Sequence, residues 1–338
     1  YNHIYKVELN GKATQLTKGA WDVIDLNGLN NDNSALFFTA AKAGAIHQGI
    51  YKLDIRKNKL VAFSKEEHKN TANFTADKKF FIKTSSSANT PHVVSLCDDS
   101  GKELQVLSNN ESLKSRIKDY QFATKRFTKI ELEGRTLNAW MILPYNFDST
   151  KQYPVYMNVY GGPGSNMVYD GWDNNIGFHQ LLAQEGYIVL AVDPRGTQFN
   201  GEKFKKSTYL NLGKLETEDF VDVAKHIGKW SFVNADRIGI QGWSYGGFMA
   251  ANCMTKGNGV FKMGIAVAPV THWQYYDNIY TERYMRTPEE NPNGYNDNSP
   301  IASAANLQGK FFLIHGSADD NVHYQNALEL VDALVKAN

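Results

Sequence analysis

Ser244 stands between glycines in the run Gly242-Trp243-Ser244-Tyr245-Gly246-Gly247, and a serine in that setting can act as a covalent catalyst. Asp236 to Gln241 before it read as a buried strand and Phe248 to Ala251 after it as a helix, so the serine falls on a sharp strand-to-helix turn, the shape of a nucleophile elbow. Glycine is needed on both sides because the turn brings strand and helix backbones together, where a β-carbon would clash. The hydroxyl is then held out at the carboxyl end of a sheet with the backbone N–H of Tyr245 beside it, and both reach one substrate carbonyl. The five-residue pattern alone is weak. An ordinary turn with a structural serine is the competing reading, and the parts that follow in the expected order argue against it.

An acyl-transfer site needs two preorganised donors for its oxyanion. Tyr245 N–H supplies one, and the candidate for the second is the Tyr160 hydroxyl, in the segment Tyr160-Gly161-Gly162-Pro163-Gly164-Ser165 directly after a strand. Its bland alternative is a strand-end tyrosine packed under a glycine turn. Downstream, His315 to His323 follow another strand and carry Asp319, placed where a hydrolase of the order Ser, Asp, His keeps the carboxylate that orients its histidine. Asp320 and Asn321 read equally as a helix cap. His323, four residues past Asp319, is badly placed to bridge to Ser244 and reads as a neighbour of the site. Between these loops Trp273, Tyr276, Tyr280 and Tyr284 step by three, four and four, which predicts one helical aromatic face. Such a face is usually core. Beside the elbow it is also what holds a flat, uncharged side chain such as proline.

Strands are predicted at Leu137–Leu143, Val155–Tyr160, Tyr187–Val192, Arg237–Ile240, Met263–Ala268 and Lys310–His315, with helices around 178–185, 216–230, 245–255 and 323–336. Alternating strands and helices mean a mostly parallel sheet covered on both faces, with ligands bound at the strands' carboxyl ends, where every motif above lies. Before residue 119 the pattern differs. His3, Gly49 and His92 each open a strand, a polar turn and a second strand, at a spacing of roughly 45 residues that matches a four-stranded propeller blade. Two to three blades fit, and a small stand-alone β domain is the alternative.

With 338 residues the chain exceeds one ordinary core, and its net charge of +1 gives no broad field for nucleic acid or an anionic membrane. The longest apolar runs are strand length, so no span of a bilayer is expected. Cys97 and Cys253 fall in different regions and read as free thiols. The sequence opens inside a strand pattern, as if something precedes it.

Three separated motifs, Gly242 to Gly247, Ala268 to Met285 and His315 to His323, together closely resemble the prolyl oligopeptidase family of serine peptidases, in particular its dipeptide-releasing members. Gln15 to Ile24 is similar to the family as well. The resemblance implies an α/β hydrolase preceded by the C-terminal blades of a β-propeller, divided as 1–118 and 119–338. It implies Ser244 as nucleophile, Asp319 as triad acid, and Tyr160 hydroxyl with Tyr245 N–H as oxyanion hole. It places Val270, Trp273, Tyr276, Tyr280 and Val322 around a proline pocket and has Asn321 hold the substrate backbone. The expected activity is release of N-terminal dipeptides from peptides with proline, or alanine less well, at the second position, with no metal or organic cofactor. Other hydrolases of this fold, an oligopeptidase, acylaminoacyl peptidase or esterase, and a non-catalytic peptide-binding relative are the alternatives. A homodimer and an extracytoplasmic location are implied by resemblance only. Two family features are not found in this sequence. None of its nine histidines fills the position of the catalytic base, which the family places beyond Asn338, and the paired glutamates that bind a substrate's amino terminus belong to propeller not represented here. Without the base, turnover is expected to fall on the order of a millionfold.

Overall fold

A computed structural model of the protein describes residues 1–337 and resolves two compact units. One comprises Tyr1–Phe122 with Tyr169–Gly177 and Phe199–Glu202, and the other Ala123–Val168, Phe178–Gln198 and the residues from Lys203 onward.

The first unit is built from antiparallel meanders. Strands β1 (Tyr5–Val7) and β2 (Ala13–Gln15) form a hairpin. Strands β3 (Val23–Leu29), β4 (Ala35–Ala40), β5 (Gly49–Asp54) and β6 (Lys59–Ala62) form one four-stranded sheet, and β7 (Lys69–Phe74), β8 (Phe80–Ser87), β9 (Thr90–Asp98) and β10 (Glu103–Ser108) another, followed by helix α1 (Glu111–Asp119). The three repeats seen in the sequence are hairpins: β1 with β2, β5 with β6, and β9 with β10. Strand β4 is buried throughout because its two faces serve different cores. Leu36, Phe38 and Ala40 pack with Tyr51 and Leu53, while Ala35 and Phe37 pack with Phe81 and Cys97 of the next sheet. This face-to-face stacking of four-stranded meanders is the packing of propeller blades.

The second unit holds a seven-stranded sheet in the order β11 (Lys125–Leu132), β12 (Arg135–Ile142), β14 (Ile188–Val192), β13 (Tyr153–Val159), β15 (Val233–Trp243), β16 (Met263–Val267), β17 (Lys310–Ile314). Pairings from β14 to β17 are parallel, and β11 and β12 add antiparallel strands at one edge. The pattern does not announce β11, whose apolar Phe127, Ile130 and Leu132 are interleaved with charged and polar residues. Helices α2 (Ile176–Gln184), α3 (Glu202–Lys205), α4 (Lys214–Ile227), α5 (Tyr245–Lys256), α6 (Asn278–Met285) and α7 (Pro292–Asp297) lie between the strands, and α8 (Gln325–Lys336) follows β17. Buried Val155, Met157, Leu190, Val192 and Ile240 of the strands meet Phe220, Val223, Phe248 and Met249 of the helices in one core. Strand β14 lies on one side of β13 and β15 on the other. The chain therefore reverses its direction of advance beside β13, and the loops leaving β13 and β15 part at their carboxyl ends to form the crevice where such sheets bind ligands. Cys97 and Cys253 are both buried free thiols, and among the described residues no helix is long and apolar enough to cross a membrane.

Candidate active site

Strand β15 ends at Trp243 and α5 begins at Tyr245, leaving Ser244 alone at the bend with φ 57° and ψ −117°. A non-glycine residue held at positive φ stores strain, and here two bonds pin it: Ser244 N–H donates to Val267 O at the end of β16 (2.8 Å), and Ser244 O accepts from Phe248 N in the first turn of α5 (3.0 Å). A β-carbon on Gly246 would collide with Val159 O and meet Tyr160 Cα at 3.2 Å, and one on Gly247 would meet Val267 O at 2.7 Å. The glycines are thus required by the approach of α5 to the ends of β13 and β16. Ser244 is half-buried, and among the described residues no side chain hydrogen bonds its hydroxyl. Tyr245 N–H, as the first of α5, is one of the helix N-terminal donors with no partner inside the helix.

Tyr160 follows β13, and its ring lies 6.0 Å from that of Tyr245. Its hydroxyl makes no hydrogen bond among the described residues. Burial, then the neighbouring Tyr276 and Tyr284, push its pKa up, so it remains a protonated donor at neutral pH. The loop behind it is tied down by Asp193, fully buried at the end of β14. Asp193 accepts from Met167 N (2.7 Å), Val168 N (3.2 Å) and Asn166 Nδ2 (3.0 Å). Asn166 Oδ1 accepts from Gln198 N (3.0 Å), and the Gln198 side chain donates to Gly164 O. Burial drives the Asp193 carboxyl up to about 7 against those three donors.

The side chain of Tyr245 turns inward. Its hydroxyl donates to Glu216 Oε1 (2.6 Å) in the first turn of α4, while Glu216 Oε2 accepts from Gly213 N (3.1 Å). Glu216 is completely buried, and that burial raises its carboxyl to about 7. Sequence reasoning missed Asp193 and Glu216. The spacing Gly213 to Glu216 carried the one local signal, that of a helix whose N3 glutamate reaches back to its N-cap.

The aromatic residues do come together, but not on one helix. Trp273 opens a 3-10 turn, Trp273–Tyr275, Tyr276 is extended (φ −121°, ψ 164°), and α6 starts afresh with Asp277 accepting from Tyr280 N (2.8 Å). Asp277 is an N-cap in mid-pattern, which is why the three-four-four spacing overstates the helix. Trp273 and Tyr280 nonetheless stack at 5.7 Å and 26°, Tyr276 stands edge-on to Tyr280 at 5.4 Å, and Trp273 lies 5.4 Å from Tyr245. Val270, Trp273 and Val322 are buried, and among the described residues the indole N–H of Trp273 has no hydrogen-bond partner.

Asp319 lies in the loop after β17. Its Oδ1 accepts from Asn321 N and Val322 N, both at 3.0 Å, so it shapes its own loop. Its Oδ2 is 3.7 Å from Nε2 of His315, which lies close to Val322 O (2.7 Å). Helix α8 begins only at Gln325 behind Tyr324, with no side-chain cap, so Asp320 and Asn321 are not its cap. Tyr276 hydroxyl donates to Asn321 Oδ1 (3.0 Å), joining this loop to the aromatic group. His323 is exposed, and among the described residues no histidine hydrogen bonds Ser244. A cavity of about 460 Å³ elsewhere in this unit, lined by Lys214, Glu218, Asp222, Lys225 and Lys256 among others, has mixed charge and contains none of the nominated residues.

The sequence profile of the prolyl oligopeptidase family matches residues 177–338, and that of the dipeptidyl peptidase IV N-terminal region matches residues 1–92. Dipeptidyl peptidase 4 of Trichophyton equinum is 36% identical over 343 residues, covering 98% of this chain and 44% of that protein. Dipeptidyl peptidase 4 of Bos taurus is 35% identical, covering 100% of this chain and 45% of that protein. The crystal structure of Porphyromonas gingivalis dipeptidyl peptidase 4 superposes with a TM-score of 0.96 at 42% identity, covering 99% of this chain and 48% of that one. The chain therefore spans about half the length of the relatives it matches. With an α/β hydrolase sheet, propeller blades before it and matches to both sequence profiles, the chain belongs to the prolyl oligopeptidase family of serine peptidases.

Proposed function

We propose that this protein is a serine exopeptidase that releases N-terminal dipeptides from peptides with proline, or alanine less well, at the second position. Ser244 Oγ attacks the carbonyl of the second residue and forms an ester, the rest of the peptide leaves as an amine, and water then hydrolyses the ester to free the dipeptide. The tetrahedral oxyanion takes hydrogen bonds from Tyr245 N–H and Tyr160 hydroxyl. Asp319 orients the histidine that relays the proton, a role that the reading gives to none of the described histidines. Asn321 holds the substrate backbone. A homodimer and an extracytoplasmic location belong to the same reading and rest on resemblance alone.

The observation that carries this reading is the stacked Trp273 and Tyr280 pair packed against Tyr245, next to the bend that presents Ser244. Rings packed with Val270 and Val322 suit a pyrrolidine by shape and dispersion better than they suit a long acyl chain. The test is labelling by a fluorophosphonate, read as intact mass, beside hydrolysis of glycyl-prolyl, glycyl-leucyl and acetylated glycyl-prolyl nitroanilides. One adduct absent from Ser244→Ala, with turnover of the glycyl-prolyl substrate alone, is expected. Turnover of the acetylated substrate assigns an oligopeptidase instead, and no adduct with retained peptide binding assigns a non-catalytic relative.

A further inference from the structure

Glu216 and Tyr245 make a pairing that the reaction scheme above does not use. Both side chains are buried, Glu216 at 0% and Tyr245 at 2% exposure, and among the described residues no cation sits against the carboxyl, whose partners are Tyr245 and Gly213 N. Its titratable neighbours are Tyr245 from α5, Asp219 on its own helix and Tyr280 from α6, and the charge of Asp219 is itself taken up by Arg195 (Nη2, 2.7 Å). Burying a carboxyl without a cation is costly, and an apolar pair of similar volume would fill the space without that cost. A fold that keeps the carboxyl here gains something other than stability.

The geometry points to position. Tyr245 carries the N–H that faces the substrate oxyanion, one residue from Ser244, at a bend whose strain is held by few bonds. Its ring is caged by Tyr160 (6.0 Å), Phe248 (5.5 Å) and Trp273 (5.4 Å), contacts between ring faces and edges that are less directional along the ring's own axis than a hydrogen bond at its tip. The 2.6 Å bond from its hydroxyl to Glu216 fixes the ring along that axis, and the bond from Gly213 N to the other carboxyl oxygen anchors Glu216 to the start of α4. We propose that Glu216 is a positioning residue of the acyl-transfer site, acting through the Tyr245 hydroxyl to fix the backbone N–H that receives the oxyanion. This rests on the serine peptidase reading. The bond is useful in the transition state and not in substrate binding, because an oxyanion donor displaced by a fraction of an ångström loses strength where charge develops.

The test compares Tyr245→Phe, Glu216→Leu and the double variant in the full-length protein, with glycyl-prolyl p-nitroanilide as substrate and melting temperature measured alongside. Tyr245→Phe keeps the ring and the N–H and removes the bond alone. Each single variant is expected to lower kcat about tenfold with KM within about twofold, a fraction of what deleting a whole oxyanion donor costs. The double variant should regain part of the stability lost in Glu216→Leu, since the Tyr245 hydroxyl is then no longer buried without its acceptor and only Gly213 N–H stays unpaired, and yet stay as slow as the slower single. A double variant that recovers turnover together with stability overturns the proposal, because the pair is then only packing. If Glu216→Leu does not fold, Tyr245→Phe decides alone, and an unchanged kcat overturns the proposal. A wild type that neither hydrolyses the substrate nor takes a fluorophosphonate overturns the serine peptidase reading and this one with it, whereas an active wild type beside an equally active Tyr245→Phe overturns only the role of Glu216.

Discussion

The turn carboxylates of the β unit and two buried carboxyls of the α/β unit are put to opposite uses. In the β unit, Asp32, Asp77 and Asp98 sit in exposed hairpin turns, where hydroxyls and backbone N–H groups of Ser34, Thr75, Lys79 and Ser100 draw their pKa values down. Asp98 is typical: its Oδ1 accepts from Ser100 N (2.9 Å), Ser100 Oγ (2.6 Å) and Lys102 N (3.1 Å), and the carboxylate writes the turn between β9 and β10. In the α/β unit, Asp193 and Glu216 are wholly buried behind the two proposed oxyanion donors, and desolvation outweighs their hydrogen bonds and raises both to about 7. A turn carboxylate stays in water and costs little. A site carboxyl opposes folding, and it persists where backbone must not move.

The contrast breaks most sharply at the nucleophile. Ser244→Ala should abolish fluorophosphonate labelling and lower kcat on the order of a millionfold while the melting temperature holds. Next is Tyr160→Phe, which removes a donor and leaves the ring in place. Its kcat should fall by about a hundredfold with KM nearly unchanged, and an equal rise in KM would move Tyr160 from the oxyanion to substrate binding. Tyr280→Ala opens the aromatic box and should cut the preference for proline over alanine at the second position by about tenfold, read as a ratio of kcat/KM. If that preference survives, the pocket lies elsewhere.

The elbow was legible because its causes are local: glycines at fixed offsets, a strand before and a helix after. The strands around it could be read for the same reason, since their apolar runs are continuous, and the hairpins at His3, Gly49 and His92 declare themselves by repetition. Edge strand β11 did not, because one exposed face dilutes its pattern. Nor did the break before α6, although Asp277 with its cap was a signal within reach. Asp193 and Glu216 are of another kind. Their partners lie at Met167 and Tyr245, across 26 and 29 residues, and nothing nearby distinguishes a buried carboxyl at the end of β14 or the start of α4 from a solvated one. Their role is visible only once the sheet brings the loops together.

The smallest effects separate the two sets by sign. Asp193 and Glu216 have folded pKa values raised from the ordinary 3.8 and 4.5 to about 7, so the folded state holds protons that the unfolded chain has given up. The stability they contribute is complete below about pH 4 and is lost as pH rises through 7. Asp32, Asp77 and Asp98 are lowered, so theirs is present above 3.8 and is lost as pH falls through the folded values below it. Melting temperature against pH should therefore decline on two limbs. Glu216→Leu combined with Tyr245→Phe should shrink the neutral limb to the part that Asp193 carries and leave the acid limb alone, while Asp98→Ala should shave the acid limb slightly and leave turnover untouched. An Asp98→Ala protein with lowered kcat would mean that the β unit's turns reach the chemistry, and the division between carboxylates that write turns and carboxyls that hold the site would fail.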